Sequence, residues 1–231
     1  MKQERERRYL IYSIGVILLA IGIVLNTKTE LGVSPIISLP YVISQIWPVP
    51  FAFATFLIYA FFVGMQLLLK GRRRQWQDLL QLPFSFIFSL LLNIFDAGYE
   101  WLVAFGGWHF TALWQNLLFL LAAVVITGIG AALMVNMRLI PNPADGLAKV
   151  VGDVCGKDMG FGKNVIDLIN VALTCTIGLL ALGRLSGVGL GTVIAMIGVG
   201  RAIALFNHFY RDKMLLCAGL MPSYKMEATG V

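Results

Sequence analysis

Pro141-Asn142-Pro143-Ala144-Asp145-Gly146-Leu147-Ala148-Lys149 is a helix start set in the middle of an apolar chain. Asn142 carries the side chain of an N-cap, and Pro143 falls at N1, where its missing N–H is an orphan in any case. Asp145 falls at N3, beside the free amides and the positive end of the helix dipole. Ser34-Pro35 repeats the cap-then-proline signal 108 residues earlier. The register holds without gaps through Gly22 and Gly130, Leu31 and Leu139, Pro35 and Pro143, Leu39 and Leu147, and Val42 and Val150. The spacing predicts two copies of one unit, each with a short helix that begins after a break.

What surrounds those breaks is membrane. Of the 231 residues, 58% are hydrophobic and 13% are charged, against about 25% charged in a soluble domain. The apolar runs are near or above the roughly 20 residues that span a bilayer. The net charge of +6 is no nucleic-acid footprint, because it lies where topology signals lie. Lys2, Arg5, Arg7 and Arg8 precede the first run, Lys70 and Arg72 to Arg74 follow another, and Arg211 and Lys213 follow the last. Such clusters mark cytoplasmic span ends. The first run leads directly into the repeat and lacks a small-residue cleavage pattern, so it reads as a span and not as a signal peptide. Cys155, Cys175 and Cys217 are far apart and read as small apolar fillers, and His109 and His208 alone supply no zinc set.

Six spans are expected: 9–25, 51–69, 76–105, 110–134, 162–182, and a last one introduced by Gly187 and ending near Tyr210. Two short helices, 35–46 and 143–155, do not cross; Pro48 and Pro50 end the first. The fold class is therefore all-α and polytopic. The first repeat occupies 1–109, the second 110–212, and a loosely ordered cytoplasmic tail 213–231. Three spans per copy place the second copy upside down, which predicts an inverted 3+3 repeat with both termini cytoplasmic. Trp108, Trp114 and Tyr99 are placed as interfacial aromatics around a Gly106-Gly107 turn.

Polar residues inside the spans fall on helical stripes. Ser85, Ser89, Asn93, Asp96 and Glu100 share one face, as do Lys163, Asp167, Asn170 and Thr174, and Asn142, Asp145, Lys149 and Asp153. Lipid-facing stripes are costly, so these should face one another or water. Hydroxyls and Asn170 also serve as glue between helices. Arg201 stands inside the last span, and depth counting puts it level with Asp167 and Asp145, which predicts one charge cluster near the midplane. Gly187, Gly191 and Ala195 form a small-residue ladder for close packing, not a nucleotide loop.

The paired breaks, Leu31-Gly32-Val33-Ser34-Pro35 and Pro143-Ala144-Asp145-Gly146-Leu147, resemble the YczE/YyaS/YitT group of small bacterial membrane proteins over most of the chain. In that group a proline-x-aspartate-x-leucine start follows the break; here the first copy has Ile37 in place of the acid. The resemblance implies a bacterial cytoplasmic-membrane protein and supplies no substrate. Asn142-Pro143-Ala144 also spells the aquaporin signature, but the half-helix follows the first span of each unit here, not the second. An adjacent Asp145 is also out of place in a pore that rejects ions.

These features point to a secondary transporter or facilitator of a small polar solute, with its site between the two short-helix N-termini. The candidate residues are Ser34, Asn142, Asp145, Asn93, Asp96, Asp167, Asn170 and Arg201. The alternative is a membrane substrate-binding subunit or regulator of a larger complex, without transport of its own. An enzyme is disfavoured, because no nucleophile–base pair or metal set is evident. No cofactor or nucleic acid is expected. The partners are the solute and the lipid bilayer, with a homodimer allowed.

Overall fold

The computed structural model describes residues 2–106 and 112–220. Its helices are α1 (Lys2–Thr27), α2 (Pro35–Ile46), α3 (Phe51–Lys70), α4 (Trp76–Leu79), α5 (Gln81–Gly106), α6 (Leu113–Met137), α7 (Pro143–Val154), α8 (Met159–Leu182) and α9 (Leu190–Cys217). Six helical stretches among the described residues are long and apolar enough to cross a membrane. The fold is an all-α, polytopic bundle. Both short helices start at the predicted prolines, Pro35 and Pro143.

Two boundaries differ from the sequence expectation. The stretch from Trp76 breaks at Leu80, where Pro83 has no N–H to give the Leu79 carbonyl; Asp78, accepting from the Gln75 N–H and from Lys70, caps the start of α4. The last helix continues through Cys217, so the first residues of the expected tail are helical. Trp108, His109 and the repeat boundary at 109–110 lie outside the described residues, as does the tail beyond Leu220.

Polar contacts at the helix ends fix the direction of each helix. Arg8 donates to the Met137 and Arg138 carbonyls, so the start of α1 and the end of α6 share a face; Tyr12 of α1 meets Phe84 near the start of α5, and Lys70 pairs with Asp78 just before it, which brings the Lys70–Arg74 cluster to that face too. Glu4 lies against Gly219, which brings the end of α9 to that same basic face. On the opposite face Lys28, just past α1, pairs with Asp96 and Glu100 of α5. Both described chain ends therefore lie on one side.

The core is the crossing of α1 and α6. A Cβ at Gly22 would stand 2.6 Å from the Thr127 nitrogen, and one at Gly130 would stand 2.4 Å from the Leu19 nitrogen. The two contacts are related by the sequence offset of 108, since Leu19 and Thr127 are also 108 apart. The relation recurs elsewhere. Ser38 of α2 meets Thr174 of α8 at 2.9 Å, and Gly146 of α7 lies against Gln66 of α3 at the equivalent positions. Among the described residues, the two non-glycine positions with positive φ are Glu30 and Arg138, again 108 apart, each turning the chain out of a long helix before a short one. α2 packs on α8 and α7 on α3, while α5 lies on α1 and α9 on α6. The relation is incomplete: among the described residues α3 packs on α5 without comparable packing of α8 on α9, and α1 and α2 touch α9 without comparable packing of α6 and α7 on α5.

Candidate functional site

Two polar regions sit inside this frame, one at the start of α7 and one on the face opposite the basic cluster. At α7, the Asn142 side chain accepts from the Ala144 N–H at 3.0 Å, as an N-cap should, and its amide reaches the buried Tyr59 hydroxyl at 3.4 Å. Gln66 donates to the Pro143 carbonyl at 2.9 Å and exchanges amide contacts with Gln81 at 3.1 Å. Gly146 leaves room for this pair, since a Cβ would stand 2.6 Å from Gln66 Oε1 and 2.8 Å from Gln81 Oε1 and both amides would have to shift.

Asp145, one residue before that glycine, faces α8. The Lys163 ammonium lies 3.9 Å from Asp145 and 3.8 Å from Asp167. Asp167, Asn170 and Thr174 form a buried stripe, with Asp167 and Asn170 each 2% exposed. Asp167 Oδ1 and Asn170 Nδ2 have no hydrogen-bond partner among the described residues. So two of the expected acids do meet a cation, but that cation is Lys163. Arg201 is exposed on α9 and forms no ion pair among the described residues. Depth counting carries no information on rotation about the helix axis, and α9 turns its buried side to α6.

The first copy ends differently. Ser34 stands at the N-cap of α2 without a side-chain cap; the buried Asn26 instead accepts the Ser34 N–H at 2.7 Å. The α5 stripe also divides. Ser85 and Ser89 are buried, Asn93 is exposed, and Asp96 and Glu100 turn to Lys28. Two successive four-residue steps rotate Asn93 about 80° from Ser85 at 3.6 residues per turn, enough to carry it off the packed face. Asp96 is thus not part of the α7 cluster. Cys155 and Cys217 are exposed and only Cys175 is partly covered, so the filler reading fails for two of the three.

Asp96 belongs to the second region, a cavity of about 490 Å³ lined by the end of α1, the second half of α2 and the facing turns of α5 and α6. Lys28, Glu30, Asp96 and Glu100 give it one ammonium against three carboxylates, with Tyr41, Tyr99 and Phe51 as apolar walls. The Lys28 ammonium bonds Asp96 at 2.9 Å and Glu100 at 2.5 Å, and lies 5.4 Å from the Tyr99 ring centre. Burial favours neutral Lys28, but the hydrogen bonds and charges of Glu100 and Asp96 outweigh it and hold the lysine above its ordinary range. A smaller void of about 310 Å³ lies on the basic face between Lys70, Arg73, Val150 and Asp153.

Sequence reasoning missed Lys28, Tyr59, Gln66 and Lys163 as site residues. The repeat carried a signal for Tyr59, which stands 108 positions before Asp167. Each therefore occupies the equivalent place on the third helix of its copy. Lys163 was visible on the α8 stripe as the cation nearest in sequence to Asp167.

No curated protein and no solved structure matches the chain. A family model does, over residues 6–208, and so covers every span and both short helices. The chain belongs to the family of unknown function DUF6198.

Proposed function

We propose that this protein carries a small polar solute across the bacterial cytoplasmic membrane as a secondary transporter or facilitator, with both termini in the cytoplasm. One observation carries the reading: each short helix packs on the third helix of the other copy, α2 on α8 and α7 on α3. The exchanged contacts at Gly22 and Gly130, and at Ser38 and Gly146, support an inverted 3+3 repeat in which α2 and α7 are re-entrant. Transporters of that build place their site where broken helices meet near the midplane. The buried polar groups at the α7 start supply such a site, and the larger cavity supplies an approach from the non-cytoplasmic face. The break motifs of this chain resemble those of the YczE/YyaS/YitT group, a likeness consistent with the reading.

The test is uptake into proteoliposomes containing the purified protein alone, with a panel of radiolabelled amines, amino acids, sugars and organic acids. Solute-specific flux that saturates is the expected result. Tight binding of a solute without flux would make the protein the binding subunit of a larger complex, and neither flux nor binding would remove the reading.

A further inference from the structure

We propose that Asp145, Lys163 and Asp167 form a proton-binding site, with Asp167 Oδ1 as the atom that takes the proton. Lys163 lies 3.8–3.9 Å from both carboxylates, close enough for strong attraction but beyond hydrogen-bond distance. Neither acid receives a donor from it. Asp167 is 2% exposed and its inner oxygen has no partner among the described residues. A buried acceptor without a donor is expensive, and a buried charge more so. One ammonium between two carboxylates leaves a net charge of −1 when all are ionised. A single proton from water, bound as the O–H of a carboxylic acid, cancels both the bare acceptor and the excess charge.

The surroundings favour a proton over a metal ion. A hard cation needs a shell of oxygens, and among the described residues no three His, Cys, Asp or Glu side chains converge. The charged group that reaches Asp167 is Lys163 on α8, with Asp145 of α7 across that ammonium; α7 also carries Lys149 and Asp153, both exposed, and Tyr59 of α3 meets Asn142 at the start of α7. α2, which also packs on α8, contributes no charged side chain. Protonating Asp167 removes one of the two attractions on Lys163 and leaves it to Asp145. The ammonium then ties the first turn of α7 to α8, so proton occupancy sets how firmly the short helix is held. This inference does not rest on solute transport, because proton uptake is measurable in solubilised protein without solute or gradient.

The experiment is infrared difference spectroscopy of the full-length protein in detergent, titrated over about pH 4–9, the span covering ordinary and raised carboxylates. The expected result is one titrating carboxylic C=O band that Asp167→Asn removes. Lys163→Met should move its midpoint up by about one pH unit or more, since a cation within about 4–6 Å favours the ionised form. Lys163→Arg should leave it near the wild-type value. Where Asp167→Asn fails to fold, Asp145→Asn decides, because losing a neighbouring negative charge must lower the midpoint. A band unchanged in Asp167→Asn, or midpoints unmoved in both Lys163→Met and Asp145→Asn, would overturn the proposal. So would a midpoint that responds to sodium chloride but not to choline chloride at equal ionic strength, which would make this a metal-cation site.

Discussion

Replacing Gly130 by alanine tests the crossing on which both copies hang. A Cβ there would meet the Leu19 nitrogen at 2.4 Å and the Gly15 carbonyl oxygen at 2.8 Å, where ordinary contact begins at 3.4 Å. The shortfall of roughly 1 Å is against backbone, which has no rotamer to move, so α1 and α6 must separate along their contact. Overpacking of this kind costs about 1–3 kcal/mol. The better helix propensity of alanine returns about 1 kcal/mol at most. A net loss of about 0–2 kcal/mol, or about 1–3 kcal/mol against a glycine-to-alanine control that shares the propensity gain, is therefore expected, read as a lower unfolding midpoint in detergent, by heat or by denaturing-detergent titration. Gly64→Ala and Gly98→Ala are the controls, since an added Cβ meets nothing within 4 Å at either. Gly22→Ala should match Gly130→Ala to within about 0.5 kcal/mol, because the two make one contact with the copies exchanged, and the double variant should lose less than the sum. If Gly130→Ala unfolds like Gly64→Ala, the crossing is looser than the structure has it. If Gly22→Ala is silent while Gly130→Ala is not, the exchange of copies is lost as an argument for the repeat.

The caps give an asymmetric prediction: Asn142→Ala should cost about 0.5–2 kcal/mol in the same unfolding assay, whereas Ser34→Ala should cost much less and Asn26→Ala more than Ser34→Ala. At the cavity, Lys28→Met strands Asp96 and Glu100, so it should lower the unfolding midpoint more than the triple variant with Asp96→Asn and Glu100→Gln; equal losses would mean the lysine only packs. For topology, single cysteines at Arg72→Cys and at native Cys217 should label from one side of sealed vesicles and Glu30→Cys from the other. Labelling of the first two from the cell exterior would invert the orientation proposed.

What the sequence made legible was set by chain-local chemistry. Cap and proline are adjacent at both breaks, so both short-helix starts could be placed to the residue, and a gapless offset of 108 needs no coordinates to be seen. Span count follows from length and hydropathy for the same reason. Rotation about each helix axis was not legible, and the site depends on it. Arg201 and Lys163 are both cations at plausible depth, and only the neighbours of their helices separate them. α8 is held between α7 and α2, so its charged stripe turns inward, while α9 leans on α6 by its small residues and leaves Arg201 outside. Asn93 and Ser89 part company over a single four-residue step for the same reason. The repeat offered a route around this limit. In the inverted repeat proposed above, contacts between copies are exchanged along with the copies, so Asn142 meeting Tyr59 would set position 167 toward the start of α2 as position 59 is set toward the start of α7. An aspartate in one place and a tyrosine in the other is where the two copies have diverged chemically. That difference puts the carboxylate on the Lys163 side alone, which is why the charge chemistry is expected from the second copy and not from both.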